Sequence, residues 1–252
     1  METVQIRTRL VVPGDDLADL ILSSLKDSGL QLDDGDILAV TDKIIAVAEG
    51  RLRDLGKIRP SKEAFRLANQ YKLEPSFVQL VLEEADSILG GVDRALLTVK
   101  DGFLVANAGV DHKNAPSGHA VLWPCDPSRS AEELRRNVKT RSGVAVGILI
   151  VDSRVNPLRR GTTGLAVAHS GFRPVEDLRG RHDLYGKPLL ITYFNVADDL
   201  AAAAHLLMGE RDEKVPVVLM RGAPVEMVGE HGTDGRISEE ECLIMSNLRP
   251  IG

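Results

Sequence analysis

Hydrophobic positions fall into short apolar runs that alternate with amphipathic stretches. Residues 4–11 predict a strand, broken by Pro13 and Gly14. In residues 16–25 (DLADLILSSL), Leu17, Leu20, Ile21 and Leu25 share one side of a helix, with acids in its opening turn. Residues 36–40 (DILAV) predict a buried strand that runs into TDK and then the apolar IIAVAEG. Helices follow over 61–71, with Ser61 as N-cap and Glu63 in the first turn, and over 74–84, opened by Pro75. Residues 94–100 and 102–106 predict a hairpin turning at Asp101 and Gly102. Beyond a long polar segment with three prolines, 107–130, a helix is expected over 130–140, capped by Ser130 with Glu133 three residues on. The most apolar strand is 144–151 (VAVGILIV), followed by a Gly-punctuated, Ala-rich stretch at 161–170. A strand at 189–196, a helix at 197–208 and a strand at 216–221 come next, and 228–241 reads as a loop or weak element. Hairpins interrupt any regular βαβ rhythm, and no repeat is visible, so the pattern predicts a mixed α+β fold. It is expected to form one domain over residues 1–252, with 228–252 the least defined segment.

Composition narrows the function. The chain has 252 residues and a formal charge of −6, with 43% apolar residues but only nine aromatic ones. The core is therefore aliphatic, and a compact chain of this mass should expose roughly 11,000 Å². Neither a basic face nor a supply of stacking rings is present in bulk, which argues against general nucleic-acid binding. Cys125 and Cys242 lie too far apart in sequence to suggest a disulfide framework or a Cys-rich metal site. The N-terminal residues lack an apolar signal core, and no apolar run approaches the roughly 20 residues that span a bilayer. A soluble, cytoplasmic protein without membrane partners is expected.

Acids at the ends of buried strands are the clearest chemical signals. Asp111 follows the apolar 103–106, and Asp152 follows the most hydrophobic strand, with the Ser153 hydroxyl beside it. Carboxylates emerging from a core at fixed positions suit a hard divalent cation carried with phosphate oxygens; equally, each acid can simply cap a turn. In NPLRRGTTG, Arg159 and Arg160 precede Gly161 and Gly164, with Thr162 and Thr163 between, an anion cradle or else a solvated turn. The segment is neither GxGxxG nor a P-loop. Lys43 follows a buried strand and can reach a phosphate as a point charge or remain solvated. Glu210, Asp212 and Glu213, interleaved with Arg211 and Lys214, read as a wet helix end that can also offer a metal ligand. The six histidines show no tight zinc spacing, and Ser142, Ser170 and Cys125 lack the setting of a nucleophile. A phosphate-handling enzyme with one or two divalent ions stands ahead of another small-molecule enzyme or a non-enzymatic module.

At these residues the chain resembles the coenzyme F420-0:γ-glutamyl ligase family over roughly residues 8–222. The likeness rests on DILAVTDKIIAVAEGR, DGFLVANAGVDHKN, PCDPSRSAEELR, SGVAVGILIVDS, PLRRGTTGLAVAHSGFRPVEDLRGRHDLYGKPL and VADDLAAAAHLLMGERDEKVPVVLMRG, in that order. The resemblance implies GTP-dependent addition of L-glutamate to coenzyme F420-0 by a two-lobed, V-shaped homodimer with sites in grooves near the subunit interface. It implies metal binding by Asp111 and Asp152, and a second ion at Ser153 and Glu210. Mn²⁺ or Mg²⁺ is expected, with K⁺ as an additional ion. It matches GTP to Val11, Val12, Pro13 and Gly14, to Asp42, Lys43 and Asn114, and to the stretch of Met208, Gly209, Glu210, Arg211, Asp212, Glu213, Lys214 and Val215. Arg159 and Arg160 are assigned to the acceptor's phosphate or the glutamate carboxylates from their charge.

Three positions and one segment depart from the family pattern. A second lysine common four residues after Lys43 is Val47 here, Lys113 replaces a common serine, and Glu210 replaces the usual glutamine. The residues of VDSRVNPLRRG also differ from the usual arrangement before the proline. Lys113 is expected to offset the lysine missing at Val47. In the implied reaction the acceptor carboxylate attacks the γ-phosphate of GTP, and glutamate's amine then attacks the acyl phosphate, giving an amide, GDP and phosphate. Alternatives are a ligase for another phosphorylated carboxylate, a metal-dependent phosphatase, and a non-enzymatic nucleotide-binding scaffold.

Overall fold

A computed structural model describes residues 1–232 and 235–247. Strand β1 (Glu2–Ile6) leads to helix α1 (Leu17–Asp27), whose N-cap is Asp16, and then to β2 (Ile37–Thr41) and helix α2 (Asp42–Ala48). After β3 (Leu52–Asp54) come α3 (Lys62–Tyr71) and α4 (Pro75–Glu84). A meander of β4 (Ser87–Val92), β5 (Ala95–Lys100) and β6 (Phe103–Ala106) follows, then β7 (His119–Val121). Helix α5 (Pro127–Ser142) precedes the long strands β8 (Gly147–Val155) and β9 (Thr162–Phe172). The short β10 (Val175–Asp177) and β11 (Tyr193–Asn195) enclose an extended arm, before α6 (Val196–Met208), β12 (Val217–Arg221) and β13 (Met227–Gly232).

The principal sheet runs β1-β12-β2-β8-β9-β13 and is antiparallel except where β2 lies parallel to β8. It is buried on both faces, so its strands are apolar at successive positions rather than alternate ones. Leu38, Val40, Ile148, Ile150, Val217 and Leu219 face α1 and α5, while Ile37, Ala39, Leu149, Val151, Val218 and Met220 face α6. A separate core lies under α3, α4 and the meander, built from residues such as Leu67, Phe77, Val81 and Leu96. Trp123 belongs to the first core and its neighbour Leu122 to the third, so the chain crosses from one core to the other there.

Several sequence expectations hold, including the Ser61 cap, which accepts from the Ala64 N–H, and the hairpin turn at Asp101 and Gly102, both at positive φ. Others need correction. The first strand ends at Ile6 rather than Val11, because from there the chain leaves its partner β12. Helix α5 begins at Pro127 and is capped by Asp126, which accepts from the Arg129 N–H, so Ser130 lies inside it. The 189–196 stretch contributes only β11, since Leu190 and Ile191 are exposed on the arm instead of packed. IIAVAEG belongs mostly to α2, and 161–170 to β9. The 228–241 stretch includes most of β13, which carries an irregular register against β9; positions 233–234 and the end of the 228–252 segment lie outside the described residues. The chain exposes 14,103 Å², well above the roughly 11,000 Å² expected of a compact monomer, and the arm between β10 and β11 is exposed along most of its length. Among the described residues, no helix is long and apolar enough to cross a membrane.

Candidate active site

The parallel pair sets the site's position. Thr41 stands opposite Val151, so Asp42 and Lys43 leave β2 beside Asp152 on β8. Strand β8 continues to Val155 because β9 pairs with it as far as Thr162. Asp152 and Ser153 therefore lie within a strand rather than after it, and strand alternation sends them to opposite faces. Asp152 follows Ile148 and Ile150 toward Trp123; Ser153 follows Leu149 and Val151 toward α6.

Asp111 arrives from the other core. Three successive residues, Asn107, Ala108 and Gly109, have positive φ, a conformation costing roughly 1–2 kcal/mol for each residue that is not glycine. Buried hydrogen bonds hold that turn: Asn107 Oδ1 accepts from the Leu96 N–H, and the Ala108 N–H donates to Thr98 Oγ1, both at 2.8 Å. At Gly109 a side chain is also barred by space, since a Cβ would stand 2.4 Å from Trp123 Cδ1. The turn delivers Asp111 to Val121, with which it exchanges backbone hydrogen bonds of 3.0 and 2.8 Å.

The result is a group of carboxylates around one ammonium. Lys43 Nζ lies 3.2 Å from Asp111 Oδ2 and 3.8 Å from Asp152 Oδ1. Asp152 is braced by the Trp123 indole N–H, 2.9 Å from Oδ2, and by the Ser153 N–H, 2.7 Å from Oδ1. Asp42 is buried at the start of α2, where desolvation, reinforced by the charge of Asp152, pushes its carboxyl well above the usual range. The same acids hold the Lys43 ammonium firmly protonated against its own burial. Even with Asp42 driven toward its neutral form, Asp111 and Asp152 against one lysine leave negative charge in excess, a donor chemistry that fits a hard divalent cation. Mg²⁺ commonly takes one or two protein carboxylates and completes its shell with phosphate and water oxygens. Among the described residues, no three acid, His or Cys side chains converge as a ready-made metal cage.

On the other side of β8, Glu210 follows α6. Its Oε1 accepts from Thr162 Oγ1 at 2.5 Å and lies 2.9 Å from His205 Nε2, while Oε2 accepts from Lys113 Nζ at 2.9 Å. Burial alone would raise this carboxyl, but these three partners outweigh it and hold it down at about 2. The Lys113 N–H donates to Asp111 Oδ1, and Asn114 Nδ2 donates to the Arg211 carbonyl, so the 111–114 loop is tied to both halves of the site.

Comparison with known proteins then bears on what such a site is for. The model of the family described as F420-0:Gamma-glutamyl ligase matches residues 5–222. A coenzyme F420:L-glutamate ligase from Methanopyrus kandleri is 44% identical over 220 residues, covering 87% of this chain and 85% of the relative. Proteins of the same description from Methanothermobacter thermautotrophicus and Archaeoglobus fulgidus are 42% and 40% identical, the latter over 93% of this chain and 92% of its own length. The chain belongs to the F420-0:gamma-glutamyl ligase family.

For this ligase-family chain, the remaining expected site residues are distributed unevenly. The turn of Val11 to Gly14 packs against the far end of α2, where the Gly14 N–H donates to the Ala48 carbonyl. That is one helix length, roughly 10 Å, from Lys43. Met208 and Gly209 end α6 next to Glu210, and Val215 is buried. Glu213 braces this loop by accepting from the Arg211 N–H, while Asp212 and Lys214 complete it. Arg159 and Arg160 are exposed in the turn between β8 and β9, and neither side chain has a hydrogen-bond or ion-pair partner among the described residues. Nor is Gly164 part of an anion cradle, since its missing side chain admits the α6 backbone, with Ala201 O only 2.1 Å from where a Cβ would be. The Lys113 ammonium, expected to offset the lysine missing at Val47, is engaged by Glu210.

Two contributors escaped sequence reasoning. Trp123 carries no local signal of a role, and only its full burial beside Asp152 reveals its indole as a carboxylate partner. His205, one of the six histidines without zinc spacing, reaches Glu210 from the last turn of α6. A signal for His205 existed, since a residue five positions before a loop acid can meet it around a helix end. A cavity of about 640 Å³ lies elsewhere, between Phe103, the Arg154–Asp198 ion pair and the 235–245 segment.

Proposed function

We propose that the protein is a GTP-dependent ligase that adds L-glutamate to coenzyme F420-0 through an acyl phosphate, releasing GDP and phosphate. The observation that carries this reading is the convergence of Asp111 and Asp152 on Lys43, beside the buried Asp42, in a chain of this ligase family. A bound Mn²⁺ or Mg²⁺ would neutralise charge on the phosphoryl group as it moves. Asp111 and Asp152 would hold that ion, Asp152 kept in place by Trp123 and Ser153. Lys43 would add a point charge for the phosphates, and Asn114 would fix the nucleotide beside the 208–215 loop. The turn of Val11 to Gly14 would meet the nucleotide at its other end, and Arg159 and Arg160, free of internal partners among the described residues, would meet the acceptor's phosphate or the glutamate carboxylates.

The protomer would be a two-lobed V, its lobes built on the separate cores, and would act as a homodimer. Leu184, Tyr185, Leu190 and Ile191 stand exposed on the arm between β10 and β11, a patch suited to cover by a second copy. Two free cysteines suit a reducing, cytoplasmic setting. Mass spectrometry of products from F420-0, L-glutamate, GTP and Mn²⁺ tests the reaction. Appearance of glutamyl-F420 with GDP is expected; GTP hydrolysis without glutamate incorporation refutes it, as does product formation only with a different carboxylate.

A further inference from the structure

The two halves of the site differ in charge. On the Asp111 and Asp152 side, two carboxylates share the lone Lys43 ammonium, with the Asp42 side chain buried behind them. On the Glu210 side, one carboxylate meets one ammonium, Lys113 Nζ at 2.9 Å. Both oxygens of Glu210 are already engaged, Oε2 by Lys113 and Oε1 by Thr162 and His205. A cation approaching Ser153 and Glu210 would meet that ammonium at the same oxygen with no second carboxylate to offset the repulsion, whereas Lys43 is shared by two. Nor does Lys113 hang on a free loop. Its backbone N–H is held by Asp111 at 2.8 Å, and the next residue, Asn114, is tied to the Arg211 carbonyl at 3.1 Å.

We infer that Lys113 is the resident cation of the Glu210 side, so that this chain takes a single divalent ion, at Asp111 and Asp152, and no second ion at Ser153 and Glu210. The inference rests on the metal-site reading proposed above. It also gives Lys113 and Glu210 a shared purpose, since a lysine at one position and a full carboxylate at the other supply a charge pair internally. Through it the 111–114 loop and the 208–215 loop are clasped across the site without an added ion.

Equilibrium dialysis of Mn²⁺ against the full-length, metal-stripped protein saturated with a β,γ-imido analogue of GTP tests this by counting ions, independently of turnover. Wild type is expected to retain a single Mn²⁺ per chain. Lys113→Ser should retain a second, and Lys113→Arg, which keeps the charge, only the single ion. Should Lys113→Ser fail to fold by circular dichroism, Lys113→Gln removes the charge while keeping a donor for Glu210 and carries the same expectation. Two ions on wild type, or no gain in the neutral variant, overturns the inference while leaving the metal site standing. No ion on wild type overturns it together with the metal-site reading.

Discussion

Trp123→Phe removes one buried hydrogen bond. The indole is fully buried, meets the Phe103 ring edge-on at 5.4 Å, and donates to Asp152 Oδ2 at 2.9 Å. Phenylalanine keeps a ring in the same space beside Gly109 but has no N–H. Hydrogen bonds to charged groups contribute about 1.5–3 kcal/mol, and here the acceptor left behind is partly buried and ionised. The smaller ring also leaves a void, so a total loss of about 2–4 kcal/mol in stability is expected. Asp152 would retain only the Ser153 N–H as a fixed donor, and its carboxylate would turn more freely. Loss of a partner that orients a metal ligand typically weakens metal binding by about 10–100-fold. Urea denaturation followed by circular dichroism gives the stability change. Electron paramagnetic resonance of free Mn²⁺ during a titration gives the affinity. Wild-type Mn²⁺ affinity in a folded Trp123→Phe protein would refute the assignment of Trp123 as the group that positions Asp152. A stability loss below about 0.5 kcal/mol would show that the bond contributes little to the fold.

Gly164→Ala should destabilise by about 1–3 kcal/mol or more, because its Cβ would stand 2.1 Å from the Ala201 carbonyl oxygen and β9 must part from α6; an unchanged urea midpoint would contradict that. Asp15 ties down the turn after β1, and hydrogen bonds from Arg9 and from the Val12 N–H lower its carboxyl from 3.8 to about 2. A folded value below the unfolded one means stabilisation that is full above the ordinary carboxylate range and fades as pH falls through about 2. The melting-temperature advantage of wild type over Asp15→Asn should therefore be constant near neutrality and shrink between pH 3.8 and 2; an advantage independent of pH would rule it out. Replacing Leu190 and Ile191 together by serine should abolish the proposed homodimer in sedimentation velocity while leaving the fold intact, since both side chains are exposed in the protomer. Persistence of the dimer would place its interface elsewhere.

What was legible in the sequence was whatever depends on near neighbours. The helix faces of α1, α3, α4 and α6, the Ser61 cap, the Asp101 and Gly102 turn and the apolar strands β2, β8 and β12 all follow from spacing within about one or two turns or strand steps. The resemblance named the family and pointed to Asp111, Asp152 and Glu210 before any fold was known. Tertiary structure decided what those residues meet. The extent of β8 was set by its pairing with β9, which turned Asp152 and Ser153 to opposite faces. The length of α5 depended on Asp126 rather than the better capping pattern at Ser130, because Pro127 is preset for the first helical position. Lys113 and Glu210 are 97 residues apart in sequence, and Trp123 and Asp152 are 29 apart. No local pattern constrains such pairs. Coulombic and hydrogen-bond energies act through distance in space, and that distance exists only once the two cores have packed.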